Sequence, residues 1–335
     1  MYNKTIADWL TETKDDILNL SRCRLMEIGA TVLFLFMITQ GRKTWLNFLH
    51  FVMFMEGITY TFYPKTMNML LVSGDLDDTH LILTRCFGLL YVTWSFGYFL
   101  LSKSTDSTTE TSILLAWSVA MLTSLMAKGY LLTHPGPKKA TVKMESEEMV
   151  TVFYTTLLFT VGIVFHTLKS NDWGGFGEQQ SHANFHLRLQ FVFLLIMGIV
   201  SYAMPQWTVK MMGDVDKVDS IHAFFTRVDA SWLLAMAVIA NRAANFLRNN
   251  DKDAVIFSQW LFFVSASVLG WIDTAGKWSE LPWSRIALQA FHDAVLILNA
   301  TGALNRDFSV VKRVVIPRFK AVPRDVRDFF KFKQQ

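Results

Sequence analysis

The chain has 335 residues, 52% of them hydrophobic and only 18% charged, with 28 Phe, 11 Trp and a formal net charge of +4 at pH 7. A soluble domain of this length would carry more charge. The apolar residues form continuous blocks near the roughly 20 residues a helix needs to cross a bilayer, which excludes an alternating β-barrel pattern.

Residues 1–43 form the first section. Within 5–23, Ile6, Trp9, Leu10, Ile17 and Leu20 fall near helical spacing with acidic residues between them. This pattern fits an interfacial amphipathic helix or a solvated helix packed on the body. No apolar core of a cleavable secretory signal is present. The block at 25–40 is short, carries Glu27, and either crosses or re-enters, so the expected number of spans is eight or nine. Section 44–168 holds apolar blocks at 45–63, 80–101, 111–132 and 149–168. A linker at 169–185 contains Trp173-Gly-Gly-Phe-Gly177, and section 186–305 holds blocks at 186–204, 220–246, 254–276 and 284–304. Residues 306–335 form a basic tail.

The two block sets share landmarks. His80-Leu-Ile-Leu-Thr84-Arg85 recurs as His222-Ala-Phe-Phe-Thr226-Arg227. Gly57 and Pro64 recur as Gly198 and Pro205, and Trp117 and Ser124 as Trp260 and Ser267. The expected fold is an all-α polytopic membrane protein made of two four-helix transmembrane repeats plus a short N-terminal apolar helix. An even number of spans per copy gives both copies one orientation, related by an axis along the membrane normal.

The tail cations, including Arg306, Lys312, Arg313, Arg318 and Lys320, place the C-terminus in the cytosol by the positive-inside rule. The Asp-rich loops at 64–79 and 205–219 then lie on the far side. Lys138, Lys139 and Lys143 oppose the rule there. Pro317 and Pro323 are expected to break the tail's helical continuity, and its mixed apolar and basic residues suit an anionic leaflet or a partner. Lys331 and Lys333 resemble the di-lysine retrieval signal of resident endoplasmic-reticulum membrane proteins, an address read by a receptor.

Each copy resembles a group of uncharacterised four-helix membrane proteins of bacteria and animals. In that group a first span ending in Pro is followed by a short acidic loop and then Arg-x-x-small. The matching residues are Pro64, Asp75–Asp78 and Arg85-Cys-Phe-Gly88, then Pro205, Asp214–Asp219 and Arg227-Val-Asp-Ala230. The resemblance covers about 45–168 and 186–305. It implies a fold and carries no activity.

An ionisable group inside a span is a functional-site candidate because of its cost in hydrocarbon. The first copy has Glu56, His80, Arg85 and Lys128, and the second has His222, Arg227, Asp229, Asp273, His292 and Asp293. Their positions along the blocks place all of them in the lumenal half. Glu56 is the expected partner of Arg85. Met197 replaces it in the second copy, leaving Asp229 or Asp293 to serve Arg227. The set reads as register-fixing ion pairs, as a lumen-facing pocket for a lipid headgroup or small anion, or as a proton path through His292-Asp293.

The chain lacks a Gly-rich phosphate loop, a zinc-type His/Cys spacing, HExxH and a Gly-x-Ser-x-Gly elbow. His182 and His186 have no third ligand nearby in sequence and read as solvated or interfacial. Cys23 and Cys86 read as free thiols. No metal, cofactor or nucleic-acid partner is expected. The expected role is non-enzymatic: a subunit or scaffold of an endoplasmic-reticulum membrane complex handling or transferring lipid, with phospholipids, other membrane-protein subunits and the anionic membrane surface as partners. The alternatives are a secondary transporter of a small anion or lipid-like solute and a lipid-modifying enzyme.

Overall fold

A computed structural model describes residues 22–134, 142–173, 181–212, 218–274, 283–304 and 309–322. The 5–23 amphipathic stretch lies almost wholly outside the described residues, and Lys331 and Lys333 lie outside them entirely. The helices are α1 (Arg22–Ile38), α2 (Arg42–Phe62), α3 (Pro64–Leu71), α4 (Asp78–Leu101), α5 (Ser107–Thr133), α6 (Ser146–Leu168), α7 (His182–Ala203), α8 (Pro205–Met212), α9 (Ser220–Ala243), α10 (Asn249–Thr274) and α11 (Trp283–Leu304). Six of them, α5, α6, α7, α9, α10 and α11, are long and apolar enough to cross a membrane. The chain is an all-α polytopic membrane protein.

The polar punctuation seen in sequence determines the helix ends. Asp77 and Asp219 cap α4 and α9 by accepting backbone N–H bonds at their first turns. Tyr63 and Met204 precede proline, where the αR region is disfavoured. They adopt nearly the same backbone, φ −125°, ψ 49° and φ −123°, ψ 57°. Each break is followed by an eight-residue helix with Pro at its start. These short helices occupy the loops expected at 64–79 and 205–219. Matched Pro-linked breaks therefore exist, at one end of the bundle.

The helix packing interlocks. Helix α2 lies on α4, and α7 lies on α9. Helix α5, however, packs on α9, and α10 packs on α4, while α6 and α11 cover α5 and α10. Neither half is a separate bundle. Helices α4 and α9 run side by side in the centre, and 78% of the apolar window of α9 is buried, against 17% for α11 at the edge. An aromatic cluster fills the middle: Trp117 of α5 meets Trp232 of α9 edge-on at 5.2 Å, and His50 of α2 stacks on Tyr98 of α4 at 3.7 Å. Trp117 Nε1 donates to His50 Nε2 at 3.1 Å, and His50 Nδ1 lies 2.7 Å from Leu46 O, so this histidine is fully satisfied in the core.

Close helix approach depends on Gly88. A Cβ there would lie 2.6 Å from Thr61 N and 2.7 Å from Gly57 O, both backbone atoms of α2. The equivalent position on α9 is Ala230, which is fully buried.

A two-residue antiparallel ladder joins Ser73–Gly74 to Val142–Lys143, so the loops at 64–79 and 133–148 share one end of the molecule. The described part of the tail is at the other end. Residues 309–322 are helical, with a π turn at Val311–Val315. The wider turn lets the helix pass Pro317, contrary to the expected break there. This segment docks on the bundle rather than projecting from it. Arg313 bonds Asp253 at 3.3 Å, Arg318 Nε donates to Phe99 O at 2.8 Å, and Val310 is fully buried. The two ends of the 24-residue α4 are about 35 Å apart at the helical rise of about 1.5 Å per residue.

Helix α1 has 17 residues and packs along α6 in the same direction, through Glu27 to Thr151 and Thr31 to Tyr154. Both cysteines are free, as expected.

Candidate functional site

The ten expected site residues divide among separate places. The first is a cavity of about 1060 Å³ at the end carrying the Asp-rich loops, lined by Asp77, His80, Asp219, His222 and Arg227 among others. His80 and His222, 142 positions apart in sequence, lie ring against ring, with centroids 3.5 Å apart and planes inclined by 33°. His80 Nδ1 lies 2.9 Å from Asp77 Oδ1, and His222 Nε2 approaches the same oxygen at 3.2 Å. The other ring nitrogens face Asp219: His222 Nδ1 at 3.0 Å from Oδ1, and His80 Nε2 at 3.4 Å from Oδ2. Each imidazole is only 1% exposed. Burial pushes the Asp219 carboxyl upward, but the two imidazoles and the His222 amide outweigh it and hold the group well below the ordinary carboxylate range. Burial likewise opposes the shift at Asp77, where the His80 amide and both imidazoles leave the carboxyl lowered.

Arg227 reaches no carboxylate among the described residues. Its guanidinium stands over the Tyr130 ring at 4.5 Å, and Nε donates to Tyr202 O at 3.3 Å. The expected pairing with Asp229 or Asp293 is thus replaced by an aromatic face and a helix-terminal carbonyl, groups of α5 and α7 that the short Pro-linked breaks leave close by.

The second place is an apolar cavity of about 360 Å³, walled by α4, α7, α8, α9, α10 and α11. Leu83, Leu90, Phe193, Leu233, Phe262 and Phe263 form much of its lining. Asp229, His292 and Asp293 are also on its wall. Asp229 is 9% exposed, and its Oδ1 has no hydrogen-bond partner among the described residues. Ser267 Oγ lies 2.9 Å from His292 Nδ1 and donates to Asp293 Oδ1 at 2.5 Å. Asp293 also accepts from Trp271 Nε1 at 3.2 Å and Gln289 Nε2 at 3.1 Å. These are the residue types of a nucleophilic triad. Here, though, Asp293 contacts the serine itself and sits 3.6 Å from the ring nitrogen that faces the serine. A triad instead needs the carboxylate behind the imidazole, on the other nitrogen.

Glu56 and Lys128 form a third place. They interact electrostatically with each other, and Lys128 Nζ also reaches Thr156 Oγ1. Arg85, half-buried on α4, makes no ion pair with Glu56 among the described residues. The two residues lie on packed helices, but the opposite charge Glu56 finds is across on α5. Asp273 falls where side chains are not described.

Sequence reasoning missed Asp77 and Asp219 as site residues, although both stood in the Asp-rich loops three positions before each matched histidine. That capping distance was the available signal. It also missed the polar end of α10, where Lys252 is fully buried and donates to Asn184 Oδ1 at 3.0 Å and Ala244 O at 2.8 Å. His186 is half-buried against Gly302 of α11 rather than solvated.

These features define a polytopic helical membrane protein with a polar cavity at one end and an apolar cavity among its helices. The profile of the family described as a domain of unknown function (DUF8292) matches residues 47–298, most of the chain, and the chain belongs to that family. No curated protein and no solved structure matches it.

Proposed function

We propose that this is a lipid-handling protein of the endoplasmic-reticulum membrane, non-enzymatic and working as a subunit or scaffold of a membrane complex. The observation that carries this reading is the apolar cavity with the unpartnered Asp229 carboxyl on its wall. Its volume lies within the roughly 300–1,000 Å³ range of small-molecule sites, where apolar walls hold the body of a ligand and a few polar groups fix its orientation. A phospholipid or other amphiphile fits that chemistry, its chain along Phe193, Phe262 and Phe263 and a hydroxyl or amine at Asp229.

In this reading the two halves descend from one ancestral four-helix unit and stand the same way up, with eight or nine spans. Support comes from the matched Pro-linked breaks, the paired Asp caps and the matched histidines. The C-terminus is cytosolic, the basic tail of 306–335 serves the anionic membrane surface, and Lys331 and Lys333 are the address. Serine at both lysines should release the protein from the endoplasmic reticulum.

Native mass spectrometry of protein released from a mild detergent tests the cavity. Wild type should retain an amphiphile. Ala266→Trp, which fills the cavity, should lose it, and Asp229→Leu should weaken its retention. An empty wild-type protein, or equal retention by Ala266→Trp, overturns the reading.

A further inference from the structure

The four side chains at the polar end pose a proton-accounting problem. Each imidazole has carboxylate oxygens at both of its nitrogens, at 2.9 and 3.4 Å for His80 and at 3.2 and 3.0 Å for His222. A neutral imidazole carries one N–H and one lone pair. If the two N–H groups point at Asp219, one to each of its oxygens, the two lone pairs are left converging on Asp77. Lone pairs facing a carboxylate repel. Two imidazolium rings would remove that repulsion but would place two cations with their centroids 3.5 Å apart, and a single imidazolium on His222 leaves the buried His80 Nε2 with no hydrogen-bond partner among the described residues.

We propose that Asp77, His80 and His222 bind one divalent transition-metal ion of the Zn²⁺ class, with Asp219 as the carboxylate that orients both imidazoles. Imidazole nitrogen and carboxylate oxygen are the ligands such ions take. One ligand atom from each of the three residues lies within 4.8 Å of the others. Ligand bonds of about 2.0–2.2 Å around a tetrahedral ion give edges of about 3.4 Å; His222 Nε2 and His80 Nδ1 lie 3.2 and 2.9 Å from Asp77 Oδ1, so binding needs the second pair to open by a few tenths of an ångström. Metal-bound histidines commonly donate their other N–H to a carboxylate. Asp219, whose side chain is 18% exposed, is hydrogen-bonded to His222 Nδ1 at 3.0 Å and lies 3.4 Å from His80 Nε2, which makes no hydrogen bond among the described residues, while Asp77 at 50% lies toward the cavity mouth.

The ion would replace the lone-pair clash with two coordinate bonds. Its charge would balance the two carboxylates, which themselves offset the positive N-terminal ends of α4 and α9. The polar cavity, lined by Asp77, His80 and His222, supplies the entry path. The ion would join the two central helices at the far end of the bundle.

The test uses the full chain in detergent, stripped with chelator and titrated with Co²⁺ and with Zn²⁺. One equivalent of Co²⁺ should give visible absorption bands, and Zn²⁺ should raise the unfolding temperature. His80→Ala and His222→Ala should each abolish both signals, and Asp219→Asn should weaken affinity about 10- to 100-fold. His292→Ala, in the other cavity, should change neither. Asp77→Ala, at the most exposed of the positions, provides a variant expected to fold if a histidine variant does not, and it too should lose the Co²⁺ bands. Absence of both signals from folded wild type overturns the proposal, as does their survival in the His80→Ala/His222→Ala double variant. Protons alone would then account for the cluster.

Discussion

Asp219 and Asp229 are ten residues apart in one stretch of chain, yet they meet opposite conditions. Asp219 accepts from the backbone amides of Ile221 and His222 and faces two imidazoles. Asp229 is more enclosed, and its Oδ1 has no hydrogen-bond partner among the described residues. The difference follows the pattern of matched positions. Asp219 and His222 have counterparts in Asp77 and His80, and the two pairs complete each other across the α4–α9 contact. At the offset relating His80 to His222, Asp229 corresponds to Phe87, so it has no acidic counterpart. Residues present at both matched positions build a polar cluster in which each carboxylate faces two imidazoles. Asp229, without such a counterpart, stands on the wall of a mainly apolar cavity.

The scaffold beneath this contrast should be the most sensitive to change. Gly88→Val would drive a side chain into the α2 backbone, and the loss should reach about 3 kcal/mol or prevent folding. Ala230→Gly at the matched position should cost about 1 kcal/mol. Size-exclusion profiles and thermal melts read both.

Next in size is the direct contrast between the two sites. His222→Ala leaves Asp77 and Asp219 short of an imidazole and should destabilise by about 2–3 kcal/mol. Asp229→Leu removes a buried carboxyl with nothing to lose, so ligand-free protein should gain about 1–2 kcal/mol. If Asp229→Leu destabilises as much as His222→Ala, the contrast is broken.

A smaller effect is expected with pH. The folded Asp219 carboxyl lies below its unfolded value of about 3.9. Its contribution is therefore complete above that value and declines as pH falls toward the folded one. With chelator present, wild type should lose about 1–2 kcal/mol more than Asp219→Asn between pH 5 and pH 3, by thermal melts.

The smallest is Arg227→Gln, which gives up the contact over Tyr130 and should cost about 0.5–1 kcal/mol. A larger loss would mean that Arg227 carries a charge partner in solution.

Much of this architecture was legible in the chain. Helix positions followed the apolar blocks, and Pro64 and Pro205 marked real breaks because the residue before proline leaves the helical region. The paired histidines were visible as a repeated motif. Their contact was not, since nothing local shows that α4 and α9 lie side by side. The packing of α5 on α9 and of α10 on α4 was equally hidden, because it joins helices far apart in the chain. Helix faces did place Gly88 correctly, one turn beyond Arg85. They misled for Glu56, whose electrostatic partner is Lys128 on another helix. The Ser267–His292–Asp293 group needed the α10–α11 contact to come together.

The central claim is that Asp77 and His222, 145 positions apart, form one interaction across the two halves. A double-mutant cycle on thermal stability with Asp77→Asn and His222→Gln measures it. A coupling of about 1 kcal/mol or more is expected for groups in contact. Additive effects, within about 0.3–0.5 kcal/mol, would contradict it.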